Sequence, residues 1–183
     1  MTEAFRIAAI SGSLRRASYN RGLLRAAQAL APGGVTIDIL EIDLPVFNED
    51  LEAAEPTAVT TFKKRVRDAN AVLIATPEYN WGIPGGLKNA IDWCSRPLAT
   101  NVLKQKPIAI LGASYGPWGT TRAQNALRQV LVFTDSLTLA QPWVFVNNAS
   151  EKFDGAAELT DERTRQQVAG LVIALVAWAK RLG

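Results

Sequence analysis

The sequence predicts an α/β protein built on a doubly wound sheet of five parallel strands, with helices on both faces. Three observations carry this. Strand-like and helix-like runs alternate along the 183 residues, β then α, five times over. The strand-like runs, such as FRIAAI, AVLIA and PIAILGA, are apolar without alternation, as expected of strands buried on both faces. The segments after them are rich in Ser, Gly, Pro and Asn, the chemistry of loops at a sheet edge.

The elements follow in order. Phe5 to Ile10 is the first strand, and it opens into Ser11-Gly12-Ser13-Leu14-Arg15-Arg16-Ala17-Ser18-Tyr19-Asn20. A helix follows with Leu23, Leu24, Ala27 and Leu30 on one face, capped by Ser18 or Asn20 and stopped by Pro32-Gly33-Gly34. Val35 to Ile42 is the second strand, and Asp43 to Asp50 a loop. A helix from Pro56 to Asp68 turns Val59, Phe62 and Val66 inward and places Lys63-Lys64-Arg65 on a solvated face. The third strand, Ala71 to Ala75, ends at Thr76-Pro77, because Pro77 lacks a donor and pulls Thr76 out of the helical region. Glu78-Tyr79-Asn80-Trp81-Gly82-Ile83 and a Pro84-Gly85-Gly86 turn lead to a helix over Leu87 to Cys94. Pro107 to Ala113 is the fourth strand, opening into Ser114 to Thr121, and the next helix carries Ala123, Leu127, Val130 and Leu131 in phase. A fifth strand lies within Thr138 to Val146, Asn147 to Leu159 is a loop, and a last helix covers Thr160 to Leu182. The length suits one domain, residues 1–183, with no linker or repeat.

Right-handed crossovers turn this order into the flavodoxin-like arrangement, strand order 2-1-3-4-5. Its switch point gathers the loops after strands one, three and four. The first loop offers the hydroxyls of Ser11, Ser13 and Ser18, helix N-terminal N–H groups and the Arg15 guanidinium, a set that favours an anion such as a terminal phosphate. It lacks the Gly-Lys-Ser/Thr ending of a P-loop and the spaced glycines of a dinucleotide fingerprint. The second loop offers amides, backbone N–H groups and the faces of Tyr79 and Trp81, which suit a flat conjugated ring. Together the three loops point to a mononucleotide.

Composition narrows the chemistry. There is no histidine, which excludes Ser-His-Asp and Cys-His catalysis and removes the commonest metal ligand. With no metal site expected, a bound organic cofactor is the expected carrier of chemistry. Cys94 is the single cysteine, so no internal disulfide forms, and it reads as a buried small hydrophobe. The net charge of +3 comes from scattered residues, without the basic stripe a nucleic-acid partner needs. No apolar run is long enough to span a bilayer, and the N-terminus lacks a secretory pattern, so the expected location is the cytoplasm.

The residues also resemble a known family. Gly12-Ser13-Leu14-Arg15 with Ser18 and Asn20, then Pro77-Glu78-Tyr79-Asn80 with Pro84-Gly85 and Leu87-Lys88-Asn89-Ala90-Ile91-Asp92-Trp93, then Gly119 through Arg122-Ala123-Gln124 with Leu127-Arg128, resemble the NADPH-dependent FMN reductases. The likeness is greatest to bacterial quinone and chromate reductases. It implies non-covalent FMN, NADH or NADPH as co-substrate, and acceptors such as quinones, chromate or ferric complexes served in a ping-pong cycle. It implies that Ser11, Ser13, Arg15, Ser18 and Asn20 hold the phosphate and ribityl end. Pro77, Glu78, Tyr79 and Asn80 would border the ring, largely through backbone groups, and Ser114 and Gly116 would close the other side. It implies a homodimer or homotetramer with the cofactor near the interface. The chain departs from the family pattern at Trp81-Gly82, at Trp118 and at Thr120-Thr121, where an acceptor would enter. Trp81 reads as a lid over flavin or substrate, or as core. Arg96 reads as a helix C-terminal cation or as a contact to nucleotide phosphate or a charged acceptor. The alternative functions are a flavodoxin-like electron carrier and an FMN-binding regulatory protein without NAD(P)H turnover.

Overall fold

A computed structural model describes residues 4–183. Eleven main elements follow one another: β1 (Phe5–Ser11), α1 (Tyr19–Ala29), β2 (Val35–Leu40), α2 (Thr57–Asp68), β3 (Ala71–Ala75), α3 (Gly85–Ser95), β4 (Pro107–Ala113), α4 (Thr121–Phe133), β5 (Leu137–Thr138), β6 (Val144–Val146) and α5 (Glu162–Leu182). The sheet is parallel, in the order β2-β1-β3-β4-β5, with β6 pairing farther along β4.

The unbroken apolar strands divide their side chains between two cores. Ile7, Ala9, Leu73 and Leu111 face a layer containing Leu23, Leu24 and Ala27 of α1 and Val168, Leu171 and Leu175 of α5. Ala8, Ile10, Val72, Ile74, Ile108 and Ile110 face the opposite layer, with Phe62 and Val66 of α2, Leu87 and Ile91 of α3, and Leu127 and Leu131 of α4. Each strand residue therefore loses its surface to one helix layer, which makes alternation unnecessary.

The structure changes three sequence expectations. The fifth strand is two short pieces, β5 and β6: Leu139 still donates to the Ile108 carbonyl at 2.8 Å, but residues 140–143 leave the sheet, and Pro142 has no N–H to give a ladder. Lys63 is not on the solvated face of α2. It is buried, ion-paired with Glu55, and its Nζ donates to the Arg96 carbonyl at 2.6 Å. The segment between β6 and α5 is more than a loop. It contains a 3-10 turn at Ala149–Glu151 and a Phe153–Leu159 bridge, and both bridge residues join the core.

One close approach fixes the working edge of the sheet. A Cβ on Gly112 would sit 2.1 Å from Thr120 Oγ1 and 2.3 Å from the Thr76 carbonyl oxygen. Only glycine lets β4 lie against both neighbouring loops there. Among the described residues, no helix is long and apolar enough to cross a membrane.

Candidate cofactor and substrate site

At the carboxyl edge of the sheet, the loops after β1, β3 and β4 enclose a cavity of about 340 Å³. That is within the usual range for a small-molecule site, and it lies where an open α/β sheet binds ligands. Its lining includes Ser13, Arg15, Ser18 and Asn20 from the first loop, Pro77, Glu78, Tyr79 and Trp81 from the second, and Ser114 and Gly116 from the third.

The first loop gathers hydroxyls, a helix N-terminus and a guanidinium at one end of the cavity. Ser18 is the N-cap of α1, and its hydroxyl accepts from the Arg21 N–H at 3.3 Å. Ser13 Oγ accepts from the Arg15 N–H at 3.3 Å. The Arg15 guanidinium reaches across the cavity, donating to Tyr115 Oη at 3.2 Å and to the Ala17 carbonyl at 3.3 Å. Both acceptors are neutral, and among the described residues no carboxylate pairs with this cation. Such an arrangement suits an anion. The hydrogen bond from Arg15, and then that with Tyr19, hold the Tyr115 phenol below its usual value of 10.0. Tyr19 moves the other way, chiefly through its hydrogen bond with Tyr115. The two rings meet edge to face at 5.2 Å.

The second loop is held by its own carboxylate. Thr120, the N-cap of α4, makes no side-chain capping bond. Glu78 caps the helix instead: its carboxylate accepts from the N–H groups of Arg122 at 3.0 Å and Ala123 at 3.1 Å, and pairs with Arg122 Nη1 at 3.2 Å. This satisfies two of the helix's orphan donors and opposes its positive end. Beyond Glu78, Tyr79 and Gly82 exchange both backbone hydrogen bonds, closing a two-residue hairpin. Such a turn needs left-handed central residues, and here they are Asn80 at φ 50° and Trp81 at φ 64°. Asn tolerates this conformation, whereas Trp loses about 1–2 kcal/mol to it. The turn holds the Trp81 indole with its centroid 4.6 Å from the Arg122 guanidinium carbon, and Trp118 lies on the same cation at 5.4 Å. The two indoles are 73% and 66% exposed, so neither is core filler.

In the third loop, the Ser114 hydroxyl donates to the Gly119 carbonyl, and the Ser114 N–H donates to the Val146 carbonyl at 3.0 Å. Gly116 has no atom near the place a Cβ would take, so its backbone lies open to the cavity.

Four expected site residues sit differently. Arg96 caps the C-terminus of α3 and pairs with Glu52 at 2.8 Å and Glu49 at 3.3 Å; it does not line the cavity. Ser11 lies beneath the first loop, its hydroxyl within 3.4 Å of the Ser13 backbone, and Asn80 is at the exposed hairpin tip. Asn20 borders the cavity, but its amide is committed. Its Nδ2 donates to the Ala113 carbonyl at 2.9 Å, and its Oδ1 accepts from the Ala113 N–H at 2.9 Å. The cavity takes in Trp118, already marked as a departure where an acceptor would enter, and adds Tyr19, Tyr115 and Arg122 to the sequence-derived set. The aromatics could have been found from their places at the loop ends. Nothing in the sequence signals the pairing of Arg122 with Glu78, 44 positions away.

A cation with neutral partners, exposed aromatic faces and a switch-point location fit a mononucleotide carrying a flat ring. They define a flavodoxin-like protein with a flavin-type site. Residues 5–151 match the NADPH-dependent FMN reductase family, and the chain belongs to it. An NAD(P)H-dependent FMN reductase of Pseudomonas aeruginosa is 45% identical over 100% of this chain and 99% of its own length. A quinone reductase of Pseudomonas putida is 41% identical, covering 98% of this chain and 97% of that one. Among solved structures, the flavoenzyme NAD(P)H:(acceptor) oxidoreductase of Paracoccus denitrificans superposes with a TM-score of 0.88, at 38% identity over 97% of this chain and 98% of that chain.

Proposed function

We propose that this protein is an FMN-dependent NAD(P)H:quinone oxidoreductase, in which NAD(P)H, a proton and a quinone become NAD(P)⁺ and a hydroquinone. The observation that carries the reading is the convergence of three loops on one cavity whose Arg15 cation faces inward, with only neutral partners among the described residues. FMN, when bound, supplies the two-electron chemistry. The chain's own residues bind and orient. Ser13, Ser18, Arg15 and the N-terminus of α1 hold the phosphate. Ser11 and Asn20 shape that loop from behind. The backbone after Pro77, with Tyr79, Ser114 and Gly116, borders the ring. Glu78 acts through α4 and Arg122, and Arg96 is structural, bracing the end of α3 against Glu49 and Glu52.

Donor and acceptor use the same open mouth in turn, which makes the cycle ping-pong. The protein works in the cytoplasm as a homodimer or homotetramer with the cofactor site near the interface. The exposed Trp143, beside Asn125 and Arg128 of α4, supports an interface along that helix. Initial rates measured over a grid of NADH and quinone concentrations test the cycle. Parallel double-reciprocal lines, with activity lost on stripping FMN and restored by adding it back, are expected. Lines that converge would refute ping-pong turnover, and activity indifferent to FMN would refute the cofactor.

A further inference from the structure

The hairpin that presents Trp81 uses a residue its backbone disfavours. At φ 64° a glycine would sit without strain, yet the chain places there its largest side chain, 73% exposed. Strain kept at a cavity mouth points to use, because packing gives no reason for it. The indole is not loose. Arg122 holds it by a cation–π contact at 4.6 Å, and Arg122 is itself fixed by Glu78, which is only 10% exposed. Trp118 approaches the same guanidinium from the loop after β4, at 5.4 Å. Two indoles from two different loops are thus set about one anchored cation at the rim of the cavity. Their outer surfaces are open, flat and apolar.

Resting on the reading of the cavity as a quinone reductase site, we infer that Trp81 and Trp118, held by Arg122, select the electron acceptor. They favour planar fused-ring quinones over acceptors with no flat face. A fused ring entering the mouth lies along an indole and gains stacking contact, whereas a compact octahedral complex touches only edges. Arg122 is the positioning residue, and the indoles make the contact. The selection is passive: no proton or electron passes through the tryptophans.

The test compares kcat/KM for 1,4-naphthoquinone, 1,4-benzoquinone and ferricyanide, in the FMN-loaded wild type, Trp81→Gly, Trp81→Phe and Trp118→Ala. Glycine suits the turn better than tryptophan, so Trp81→Gly retains the hairpin; Trp118→Ala carries the test independently. In a ping-pong cycle, kcat/KM for the acceptor reports only the acceptor half. The naphthoquinone-to-ferricyanide ratio should fall about 3–10-fold in Trp81→Gly and in Trp118→Ala, the factor one aromatic stacking contact supplies, and stay within about twofold in Trp81→Phe. Without any donor, the dissociation constant of naphthoquinone, read from perturbation of the bound flavin's absorbance, should rise by the same factor. Ratios unchanged in both Trp81→Gly and Trp118→Ala, with the wild type active, overturn this inference alone. A wild type that reduces none of the three overturns the underlying reading and this inference with it.

Discussion

Asn20 decides between two roles, cofactor ligand and internal latch, and the structure favours the latch. The β3 ladder against β4 ends at Ala75 and Leu111, so Ala113 extends past its neighbour. There its N–H and carbonyl both meet the Asn20 amide, at 2.9 Å each, and Asn20 is 3% exposed. Asn20→Ala leaves a buried donor and a buried acceptor without partners. Each such group costs about 1–3 kcal/mol, and water entering from the cavity relieves part of it, so the loss is about 2–4 kcal/mol. For a chain of this size, that lowers the melting temperature by roughly 4–16 °C. Asn20→Asp should not rescue it, because its second oxygen faces the Ala113 carbonyl with no proton to give. The assay is thermal or urea unfolding of FMN-stripped protein, so that cofactor binding contributes nothing. If stripped Asn20→Ala unfolds within about 0.5 kcal/mol of wild type, the size of an ordinary surface substitution, the latch is wrong. Asn20 would then be a ligand group whose loss appears only in FMN affinity.

Two further predictions come from buried or half-buried groups. Glu78→Gln keeps an oxygen for the Arg122 and Ala123 N–H groups but removes the charge opposing the α4 dipole. Urea unfolding should show a loss of about 1 kcal/mol, rising to about 2 kcal/mol in Glu78→Ala, where those donors lose their partner. Equal stability of all three forms would contradict the capping role. Burial pushes the Cys94 thiol up to about 12, against an ordinary 9.0. The folded chain thus holds this proton more tightly than the unfolded chain. The resulting stability is fully present below pH 9.0 and is lost as pH rises toward about 12, at up to about 1.4 kcal/mol per pH unit. Cys94→Ala should flatten that alkaline decline, and a disulfide reagent at pH 8 should label the native thiol only on unfolding. Rapid labelling of native protein would refute the burial.

The sheet was legible because its central strands, β1, β3 and β4, are apolar along most of their length. A run such as AVLIA admits only a doubly covered strand, and five βα units leave few topologies. The split of the last strand was legible only as a proline whose position in the ladder depends on β4. Lys63 was misplaced because helical periodicity assigns faces by hydropathy alone. Its partners, Glu55 and the Arg96 carbonyl, come from a turn and from another helix end. The three site loops were found from their small and polar residues, which the backbone needs locally. What escaped was every long-range pairing: Asn20 with Ala113, Glu78 with α4, and Arg15 with Tyr115. In each case, a side chain suited to a ligand is also suited to a neighbouring backbone, and only the fold decides which lies closer.

The most direct test of the central claim is an anaerobic absorbance titration of the purified protein. It is titrated with NADH and, separately, with NADPH, and a quinone is then admitted. The account predicts a flavin spectrum that bleaches with about one equivalent of donor per bound FMN and returns in full when the quinone is added. A colourless protein that takes up no added FMN, or a bound flavin that neither nucleotide bleaches, would contradict it.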